Sequence, residues 1–487
     1  MLLEKKHFIE KYSDGKTSPQ EILEYPERIL QFGTGVLLRG LPDFFVDHAN
    51  KAGDFKGRIV VVKTTGSNAG TDFEQQDHLY THIIKGYADG KAVNESIINA
   101  SISQVLHAKA DWETVLEKAG IPEINILISN TTEQGLVYTD DDITAQPPQS
   151  FPGKLLAYLM KRFELLGDVL QSEMVIIPTE LLEYNGDLLK SILKKHIEKN
   201  VVDQSFIDWM EKRVVFCNSL VDRIVPGKPD PDVLRAYWQE LGYEDELLIV
   251  SEPYNLWAIE GTPEIKEILS FAKANDGIKI TDNIAVFKEL KLRLLNAAHT
   301  FSAGVALTHG LETVTDSMQD AEFEGFISQL TKDIRASIAL QIDEDVKEKF
   351  AADVLDRFRN PNIRHYWKSI IFSFTEKFKI RCIPLMKEHY RKFGRFPETM
   401  VKGLAAYFMV SIPAMQSDGG FLTEVGNLKI KLNDPFSEKI YNSKISNGDI
   451  ETINEYIAHY FLENEDQEMI KELQNVCVDY YQQTSKA

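Results

Sequence analysis

Residues 28–36 read Arg-Ile-Leu-Gln-Phe-Gly-Thr-Gly-Val, and this short stretch indicates how the chain folds. An apolar run of strand length leads into two glycines, Gly33 and Gly35, and then into a helical pattern that continues to about Asn50. Glycines at this point of a βα unit let the backbone approach a pyrophosphate, whose charge the helix N-terminus attracts. The third glycine of such a loop would fall at position 38, where the chain has Leu38. A tight turn without a ligand fits the same residues.

Further apolar, β-branched runs of strand length follow in the first half of the chain. They are residues 58–63, 124–129, 174–178 and 214–218, with weaker candidates at 247–252 and 256–259. Helical patterns lie between them, and strands that alternate with helices are typical of parallel βαβ units. The first half therefore predicts an α/β domain of the Rossmann type, with a doubly wound parallel sheet.

The pattern changes after about Thr281. Proline, glycine and charged residues cluster between 262 and 283 and predict a linker, and beyond it nearly every segment has the helical period of about 3.6 residues. We therefore expect a mostly α-helical C-terminal domain and a division of the chain into residues 1–282 and 283–487. One predicted helix begins after Asp282, a suitable cap, and ends near Gly310.

This predicted helix carries an amine, an amide and an imidazole within nine residues: Lys291, Asn296 and His299. At ~100° per residue the three fall within an arc of about 140°, so they can share one face of an α-helix. Such a group could polarise a carbonyl and exchange a proton with it without a metal. An ordinary amphipathic helix with polar residues along its edge accounts for the same pattern.

Loops after the predicted strands offer candidate ligand contacts, because such loops face the binding crevice of a parallel sheet. After the second strand, Lys63 stands where an acid would grip a ribose hydroxyl; a lysine could instead meet a 2′-phosphate, so these residues leave NAD and NADP open. Residues 129–135 offer small hydroxyls and an amide to a nicotinamide ribose or its phosphates, although a plain Asx turn fits too. Asp222 and Arg223 could bind a ligand or simply pair on the surface.

The composition of the whole chain excludes several classes of function. Its 487 residues suit two domains, and its net charge of −20 argues against a nucleic-acid partner. No apolar run approaches the ~18–20 residues that span a bilayer, and the first residues lack the apolar core of a secretory signal. We expect a cytoplasmic protein without a membrane partner. Three scattered cysteines and the lack of CxxC or HExxH spacing argue against a metal site.

Taken together, these residues resemble the polyol-specific long-chain dehydrogenases, the mannitol dehydrogenase family. The spacing of Lys291, Asn296 and His299 is similar to the Lys-x4-Asn-x2-His catalytic signature of that family. Other blocks that look like family blocks keep their order along the chain; they are Pro26–Arg39, Gln76–Thr81, Ser129–Gly135, Val221–Ile224 and Arg357–Pro361. The resemblance implies reversible hydride transfer between a sugar substrate and a nicotinamide cofactor, with NAD favoured over NADP.

The resemblance also implies a role for individual residues. Lys291 would be the general acid when a ketone is reduced and the base when the alcohol is oxidised, Asn296 would donate to the carbonyl oxygen, and His299 would orient the substrate. The implied cofactor contacts are Gly33, Gly35, Arg39, Lys63, Asn130, Thr132 and Glu133. The implied substrate contacts are Asp222, Lys377, Lys288 and Arg381, of which Lys377 aligns with a substrate lysine of the family.

Three departures from the polyol members bear on the substrate. Those members have an amide where this chain has Leu181, an acid where it has Lys288, and an Asp-Gly-Ser-x-Lys block where it has residues 373–377. Residues 178–186 and 377–381 instead resemble the members that act on hexuronates. We therefore expect a small-molecule hexuronate or aldonate substrate. Another hexuronate or polyol specificity remains the alternative among enzymes, and a ligand-binding protein without turnover is the alternative outside them.

Overall fold

The structure is a computed structural model, and it describes residues 1–64, 71–200, 202–412, 415–417, 420–425 and 428–484. The chain forms two compact units, Met1–Lys85 with Val93–Ile284 and Gly86–Ala92 with Ala285–Ala487. A single division at residue 282 thus misses the segment Gly86–Ala92, which lies at the tip of a β-hairpin and groups with the second unit. The turn of a hairpin is too short to show a helical or strand-like sequence period, so the sequence does not assign this segment to either unit.

The first unit is built on a six-stranded parallel sheet. The strands of this unit are β1 (Glu27–Phe32), β2 (Arg58–Lys63), β3 (Tyr80–Ala88), β4 (Lys91–Asn99), β5 (Ile102–His107), β6 (Ile126–Ser129), β7 (Met174–Pro178), β8 (Val214–Phe216), β9 (Ser219–Asp222), β10 (Ile249–Ser251), β11 (Leu256–Glu260) and β12 (Ile278–Thr281). The main sheet has the order β5-β2-β1-β6-β7-β8. The direction of winding reverses between β1 and β6, and doubly wound sheets bind their ligands at this switch point.

Apolar layers cover both faces of the main sheet, which explains why its strands read as continuous apolar runs. Successive residues of a strand point to opposite faces, so Ile29 packs into one core while Leu30 and Phe32 pack into the other. The helices of this unit are α1 (Lys5–Lys11), α2 (Pro19–Glu24), α3 (Val36–Gly40), α4 (Pro42–Ala52), α5 (Thr71–Gln75), α6 (Trp112–Glu117), α7 (Phe151–Leu166), α8 (Asn185–Asn200), α9 (Gln204–Arg213), α10 (Pro231–Leu241) and α11 (Pro263–Ile268). The predicted doubly wound α/β fold is confirmed.

Two segments of the first unit differ from the prediction. The helix expected from Val36 to Asn50 is broken at Leu41, whose φ of −133° and ψ of −77° leave the helical region. Pro42 is the cause, because a proline disfavours helical geometry in the residue before it and lacks the N–H that an unbroken helix would use there. The segment 262–283 is not a linker: it contains α11 and β12, and the Phe271 side chain between them is fully buried.

The second unit is mostly helical, as predicted. Its α-helices are α12 (Ala285–Leu290), α13 (Ala298–Thr308), α14 (Val314–Ser317), α15 (Ala321–Ser337), α16 (Glu344–Phe358), α17 (Trp367–Ile370), α18 (Phe374–Arg381), α19 (Ile383–Phe393), α20 (Glu398–Ser411), α21 (Ser437–Asn447), α22 (Asp449–Tyr456) and α23 (Gln467–Thr484). Two π-helical segments, π1 (Lys291–Ala297) and π2 (Ile457–Phe461), interrupt them. A small antiparallel sheet of β13 (Met415–Ser417), β14 (Gly420–Val425) and β15 (Leu428–Leu432) was not predicted.

Helix α13 lies at the centre of the second unit, and nearly all of its side chains are buried. It crosses α20 closely at two glycines. A Cβ added to Gly304 would lie 2.7 Å from the backbone of Ala406, and one added to Gly403 would lie 2.7 Å from the ring of Phe301. This close packing fixes the helix that carries His299. Among the described residues, no helix is long and apolar enough to cross a membrane.

Candidate active site

The loop after β1 exposes bare backbone at the switch point of the sheet. Gly33 has a φ of +123°, and a Cβ at this position would lie 2.9 Å from Cδ1 of Leu38 and 3.1 Å from the carbonyl oxygen of Asn130. Glycine meets both demands because it has no Cβ and tolerates a positive φ. At Gly35 no atom of a more distant residue lies within 4 Å of the Cβ position, so the loop is open on that side.

Side-chain hydrogen bonds join the loop after β6 to the loop after β7. Asn130 donates from Nδ2 to the carbonyl and hydroxyl oxygens of Thr179 at 3.1 and 2.9 Å. The buried carboxylate of Glu180 accepts from the backbone N–H and the hydroxyl of Thr131 at 2.8 and 3.0 Å, and from the hydroxyl of Ser129 at 3.2 Å. Burial raises the pKa of Glu180. These bonds hold two neighbouring strand ends in register beside Gly33.

The other predicted cofactor residues have different surroundings. Thr132, with a φ of +68°, and Glu133 are exposed at the tip of the loop after β6. Lys63 is half-buried at the end of β2, and the residues that follow Thr64, beginning with Thr65 and Gly66, lie outside the described residues. Arg39 is buried instead.

Contacts within the first unit hold the Arg39 side chain. Its Nη1 donates to the carbonyl oxygen of Leu247, and its guanidinium lies 5.3 Å from the centroid of the Tyr80 ring. The Tyr80 hydroxyl in turn donates to the carbonyl oxygen of Arg39 at 2.7 Å. Burial lowers the pKa of Arg39. The arginine therefore fastens α3 to the residues around β3 and β10.

Asp222, at the end of β9, and the following Arg223 are buried, so the alternative that the two pair on the surface is wrong. Arg223 donates from Nε to the carbonyl oxygen of Glu252 at 3.0 Å and from Nη1 to that of Gly40 at 2.8 Å. Burial lowers its pKa to about 9. Asp222 ends β9, where it pairs with Leu256 of β11. Burial and the strand pairing restrict the directions that the Asp222 carboxylate can take.

Lys291, Asn296 and His299 lie on the helical segments π1 and α13, not on one α-helix as predicted. Backbone hydrogen bonds in a π-helix join residues five apart, so such residues lie one turn apart. Lys291 and Asn296 are five apart, whereas α-helical geometry would separate them by about 140°. Asn296 and His299 are three apart where α13 begins, which also makes them neighbours. The π-helical turn therefore aligns all three side chains on one face.

His299 is a neutral imidazole packed among aromatic rings. Its Nδ1 lies 3.0 Å from the carbonyl oxygen of Leu295, so the proton is assigned to Nδ1 and Nε2 is left as an acceptor. The ring centroid lies 4.2 Å from that of Phe358 and 5.1 Å from that of His365. Burial and the cationic surroundings, with Arg357 among them, lower the pKa of His299 well below its ordinary value. A neutral ring that donates from Nδ1 to Leu295 leaves Nε2 able to accept a hydrogen bond at neutral pH.

Two predicted substrate cations lie one turn apart on α18. Lys377 donates from Nζ to the carbonyl oxygen of Ile370 at 2.9 Å, and burial together with Arg381 lowers its pKa. Arg381 lies 3.3 Å from the hydroxyl of Thr300, which donates to the carbonyl oxygen of Asn296 at 2.8 Å. The structure thus brings Arg381 next to the predicted catalytic segment. Lys288, the remaining candidate, is half-buried on α12.

A residue that the sequence did not single out, Arg293, ties π1 to α18. Its Nη1 donates to the carbonyl oxygens of Ile380 and Arg381 at 2.9 and 3.0 Å, and its Nε donates to Glu289 at 2.9 Å. The carbonyls at the end of a helix need such donors. Arg293 stands inside the Lys-x4-Asn spacing, but nothing in the sequence shows that it would turn toward α18. Among the described residues, no group of three or more His, Cys, Asp and Glu side chains could hold a metal ion.

Comparison with known proteins decides the family. Residues 27–271 match the mannitol dehydrogenase Rossmann domain, and residues 283–476 match the mannitol dehydrogenase C-terminal domain. The chain belongs to the mannitol dehydrogenase family. The resemblance found in its sequence blocks is thereby confirmed.

Two relatives within this family are altronate oxidoreductases. The chain is 39% identical to that of Bacillus subtilis (strain 168) over 402 residues, which cover 82% of this chain and 83% of the relative. It is 36% identical to that of Halalkalibacterium halodurans over 423 residues, which cover 85% and 81%. The similarity therefore extends through both units.

Two solved structures share the fold of this chain. A substrate-free D-sorbitol dehydrogenase aligns with a TM-score of 0.74 at 20% identity, covering 96% of this chain and 95% of that one. The mannitol 2-dehydrogenase of Pseudomonas fluorescens, in a ternary complex with NAD and D-mannitol, aligns with a TM-score of 0.64 at 21% identity, covering 100% and 99%.

The Rossmann domain of this family implies a nicotinamide dinucleotide, and the loop after β1 fits one. Gly33 is closely packed, which holds the turn in shape, while Gly35 presents open backbone on the ligand side of the switch point. A side chain at Gly35 would fill that space. The fit rests on the glycines and the strand order, because α3, which follows them, has only five residues.

Proposed function

We propose that this protein is an altronate oxidoreductase, or tagaturonate reductase, which interconverts D-tagaturonate and D-altronate by reversible hydride transfer with NAD(H) in hexuronate breakdown. One structural observation carries the choice of substrate. Lys377 and Arg381 lie on one helix next to the segment that holds Asn296 and His299. A hexuronate carries a carboxylate that such cations can bind, and a neutral polyol does not. The names of the two relatives support the same substrate.

In this mechanism the side chains of π1 act on the reacting oxygen. Lys291 gives a proton to the ketone oxygen during reduction and takes it from the alcohol during oxidation. Asn296 donates its amide N–H to the same oxygen and so stabilises the negative charge that develops there. A bound nicotinamide dinucleotide supplies the hydride for reduction and accepts it in oxidation. The alignment of Lys291 with Asn296 by the π-helical turn suits two groups that act on one atom.

His299 orients the substrate in this proposal. Because Nδ1 is bonded to Leu295, Nε2 can accept a hydrogen bond from a substrate hydroxyl. An acceptor that stays neutral keeps this role throughout the neutral pH range. It also avoids a further positive charge beside Lys291 during proton transfer.

The substrate carboxylate needs a cation, because an unpaired charge in a partly dry site is costly. Lys377 is the first candidate. Burial removes part of the water around its ammonium group, and a bound carboxylate would take the place of that water. Arg381 and Lys288 are weaker candidates. Asp222 stays a predicted substrate contact, which the family resemblance supports.

On the cofactor side, the proposed contacts are the backbone of Gly33 and Gly35 and the loop that contains Asn130, Thr132 and Glu133. Lys63 at the end of β2 is a further proposed contact. The family resemblance favours NAD over NADP, whereas a lysine at this place would also suit a 2′-phosphate. Comparing NADH with NADPH decides between them.

One assay tests the proposal. Purified protein is mixed with NADH and tagaturonate, and absorbance at the nicotinamide band is followed beside fructuronate, fructose and NADPH. We expect the fastest loss of absorbance with tagaturonate and NADH. A preference for fructuronate would make the protein a fructuronate reductase, and a preference for fructose would make it a polyol dehydrogenase. Binding without turnover of any of them would show a ligand-binding protein.

A further inference from the structure

A second histidine, His365, faces the catalytic imidazole from the segment between α16 and α17. Its backbone is held on both sides: the carbonyl oxygen accepts from the N–H of Val314 at 2.9 Å, and the N–H donates to the carbonyl oxygen of Ile363 at 3.0 Å. The neighbouring Tyr366 forms a β-bridge with Thr313. These bonds hold the backbone at His365 in place.

The His365 ring lies against the catalytic residue without using its own nitrogens. Its centroid is 5.1 Å from that of His299, and its ring is half-buried. No hydrogen bond joins either ring nitrogen of His365 to another described residue. The two imidazoles therefore differ. Nδ1 of His299 is hydrogen-bonded to the carbonyl oxygen of Leu295, whereas both ring nitrogens of His365 can bind a ligand.

The charges that act on His365 are positive. Burial and the cations Arg357 of α16 and Lys377 of α18 lower the pKa of His365. Arg357 and Arg381 act in the same direction on His299. The carboxylate of Asp434 counters part of the charge on Lys377. An anion that binds among these groups would offset their mutual repulsion and restore the proton of His365.

We propose that His365 is a specificity-determining residue that binds the substrate carboxylate through a ring N–H, together with Lys377. The proposal rests on the proposed function, because it names a further contact for the same acid. A protonated imidazole and a lysine would give the carboxylate two charge-assisted hydrogen bonds from different helical segments. His299 beside them would then hold a hydroxyl nearer the reacting carbon.

A packing role is the competing explanation, since His299 already sits among Phe358 and Trp367. Two variants separate the roles. His365→Phe keeps an aromatic ring next to His299 but removes both nitrogens. His365→Gln keeps a hydrogen-bond donor but removes the charge. The matched control is His459→Gln, which makes the same change at an exposed histidine on π2.

The experiment measures kcat, KM and NADH affinity for each variant with tagaturonate and with fructose. We expect His365→Phe to raise the tagaturonate KM roughly tenfold or more, the effect of losing one charge-assisted hydrogen bond. The fructose KM and the NADH affinity should stay unchanged, and His365→Gln should show a smaller rise. The control should behave as the wild type.

Two results would overturn the proposal. An unchanged tagaturonate KM in both His365 variants would show that the carboxylate is bound elsewhere. Equal losses with tagaturonate and fructose would show that His365 acts through His299 or the fold. If the wild type prefers fructuronate, the proposed function fails, but the same comparison made with fructuronate still decides the role of His365. A wild type that prefers fructose would remove both proposals.

Discussion

The glycine loop of the first unit and the π-helical turn of the second unit are both proposed to meet the reactants, but they present different chemistry. At the loop, Gly35 exposes backbone, and the nearby polar side chains of Asn130 and Glu180 are bonded to protein atoms. At the turn, the proposed groups are side chains, Lys291 and Asn296. One region offers a surface, and the other offers functional groups.

The two regions should therefore respond to different kinds of substitution. Added atoms should weaken ligand binding at a closely fitting backbone surface. Removal of a side-chain group should instead lower the rate of a reaction that depends on it. Adding a methyl group to the loop should therefore change binding or stability and leave the chemistry alone. Removing an amine from the turn should change the chemistry and leave cofactor binding alone.

The largest effect is expected from Lys291→Ala. Removal of the group that transfers the proton should lower kcat by ~10²–10⁴-fold, which is the usual contribution of general acid–base catalysis. NADH affinity should not change, because the proposed role of the amine is to transfer a proton to or from the substrate. Steady-state kinetics and fluorescence titration of NADH measure the two quantities. Lys332→Ala, at an exposed lysine on α15, is the control, and near-normal turnover in a folded Lys291→Ala protein would contradict the assignment.

Lys377→Met should have the next largest effect, and it is confined to the acid substrate. Loss of a charge-assisted hydrogen bond predicts a rise of roughly 10–150-fold in the tagaturonate KM. The fructose KM should change little, so discrimination between the two shrinks. Lys379→Met is the matched control, because Lys379 is on the same helix but lies over the ring of Tyr460, 3.9 Å from its centroid. Equal losses for both substrates would mean that Lys377 contacts a hydroxyl or supports the fold.

The two loop glycines should respond differently to the same added methyl group. Gly33→Ala forces a φ of +123° on a residue with a Cβ and crowds Leu38, so it should lower the free energy of unfolding by ~1–3 kcal/mol. Gly35→Ala has room and a φ of −60°, so its stability should stay within about 0.5 kcal/mol of the wild type. Urea unfolding measures both changes.

A cofactor titration completes this comparison. If the dinucleotide lies against Gly35, then Gly35→Ala should weaken NADH binding in a protein of normal stability. Wild-type NADH affinity in the Gly35→Ala protein would show that the open space serves another purpose.

The smallest effect concerns acid sensitivity in the first unit. His82 is fully buried, with Nε2 2.7 Å from the hydroxyl of Ser251, and burial together with the nearby Arg223 lowers its pKa well below the ordinary value. Below about pH 6.5 the unfolded chain binds a proton at this position that the folded chain does not. Its contribution to stability is therefore present near neutral pH and is lost as the pH falls, by at most about 1.4 kcal/mol per pH unit.

Urea unfolding at about pH 7 and pH 5.5 checks this expectation. The wild type should lose about 1 kcal/mol more on acidification than His82→Gln does. Other buried histidines contribute equally to both proteins and cancel in the difference. The same acid sensitivity in the variant would show that His82 is protonated in the folded state.

The sequence predicted the strands that are apolar along their whole length. β2 and β7 have the predicted bounds, because a strand buried on both faces needs an uninterrupted apolar run. It missed β5, whose sequence Ile-Ser-Gln-Val-Leu-His mixes polar with apolar residues at the edge of the sheet. It also missed β13, β14 and β15. These short strands form by pairing with one another, and their sequences alone do not distinguish them from the helical segments around them.

The family signature predicted Lys291, Asn296 and His299 on one continuous helical segment, but the spacing does not reveal the type of helix. An interval of five residues is compatible with α-helical or π-helical hydrogen bonding, and the choice depends on packing against neighbours such as α18. For the same reason Arg293 and His365 escaped notice. Their importance comes from segments more than 60 residues away in the chain, which no local pattern describes.

A crystal structure of the protein with NADH and altronate would show which side chains hold the reacting oxygen. We expect Nζ of Lys291 and Nδ2 of Asn296 within about 3.2 Å of the oxygen on the reacting carbon, the usual reach of a proton-transfer group. We also expect the substrate carboxylate within hydrogen-bond distance of Lys377. A substrate bound in the reverse direction, with its carboxylate away from Lys377 and its reacting oxygen held by other residues, would contradict the proposed roles of Lys291, Asn296 and Lys377.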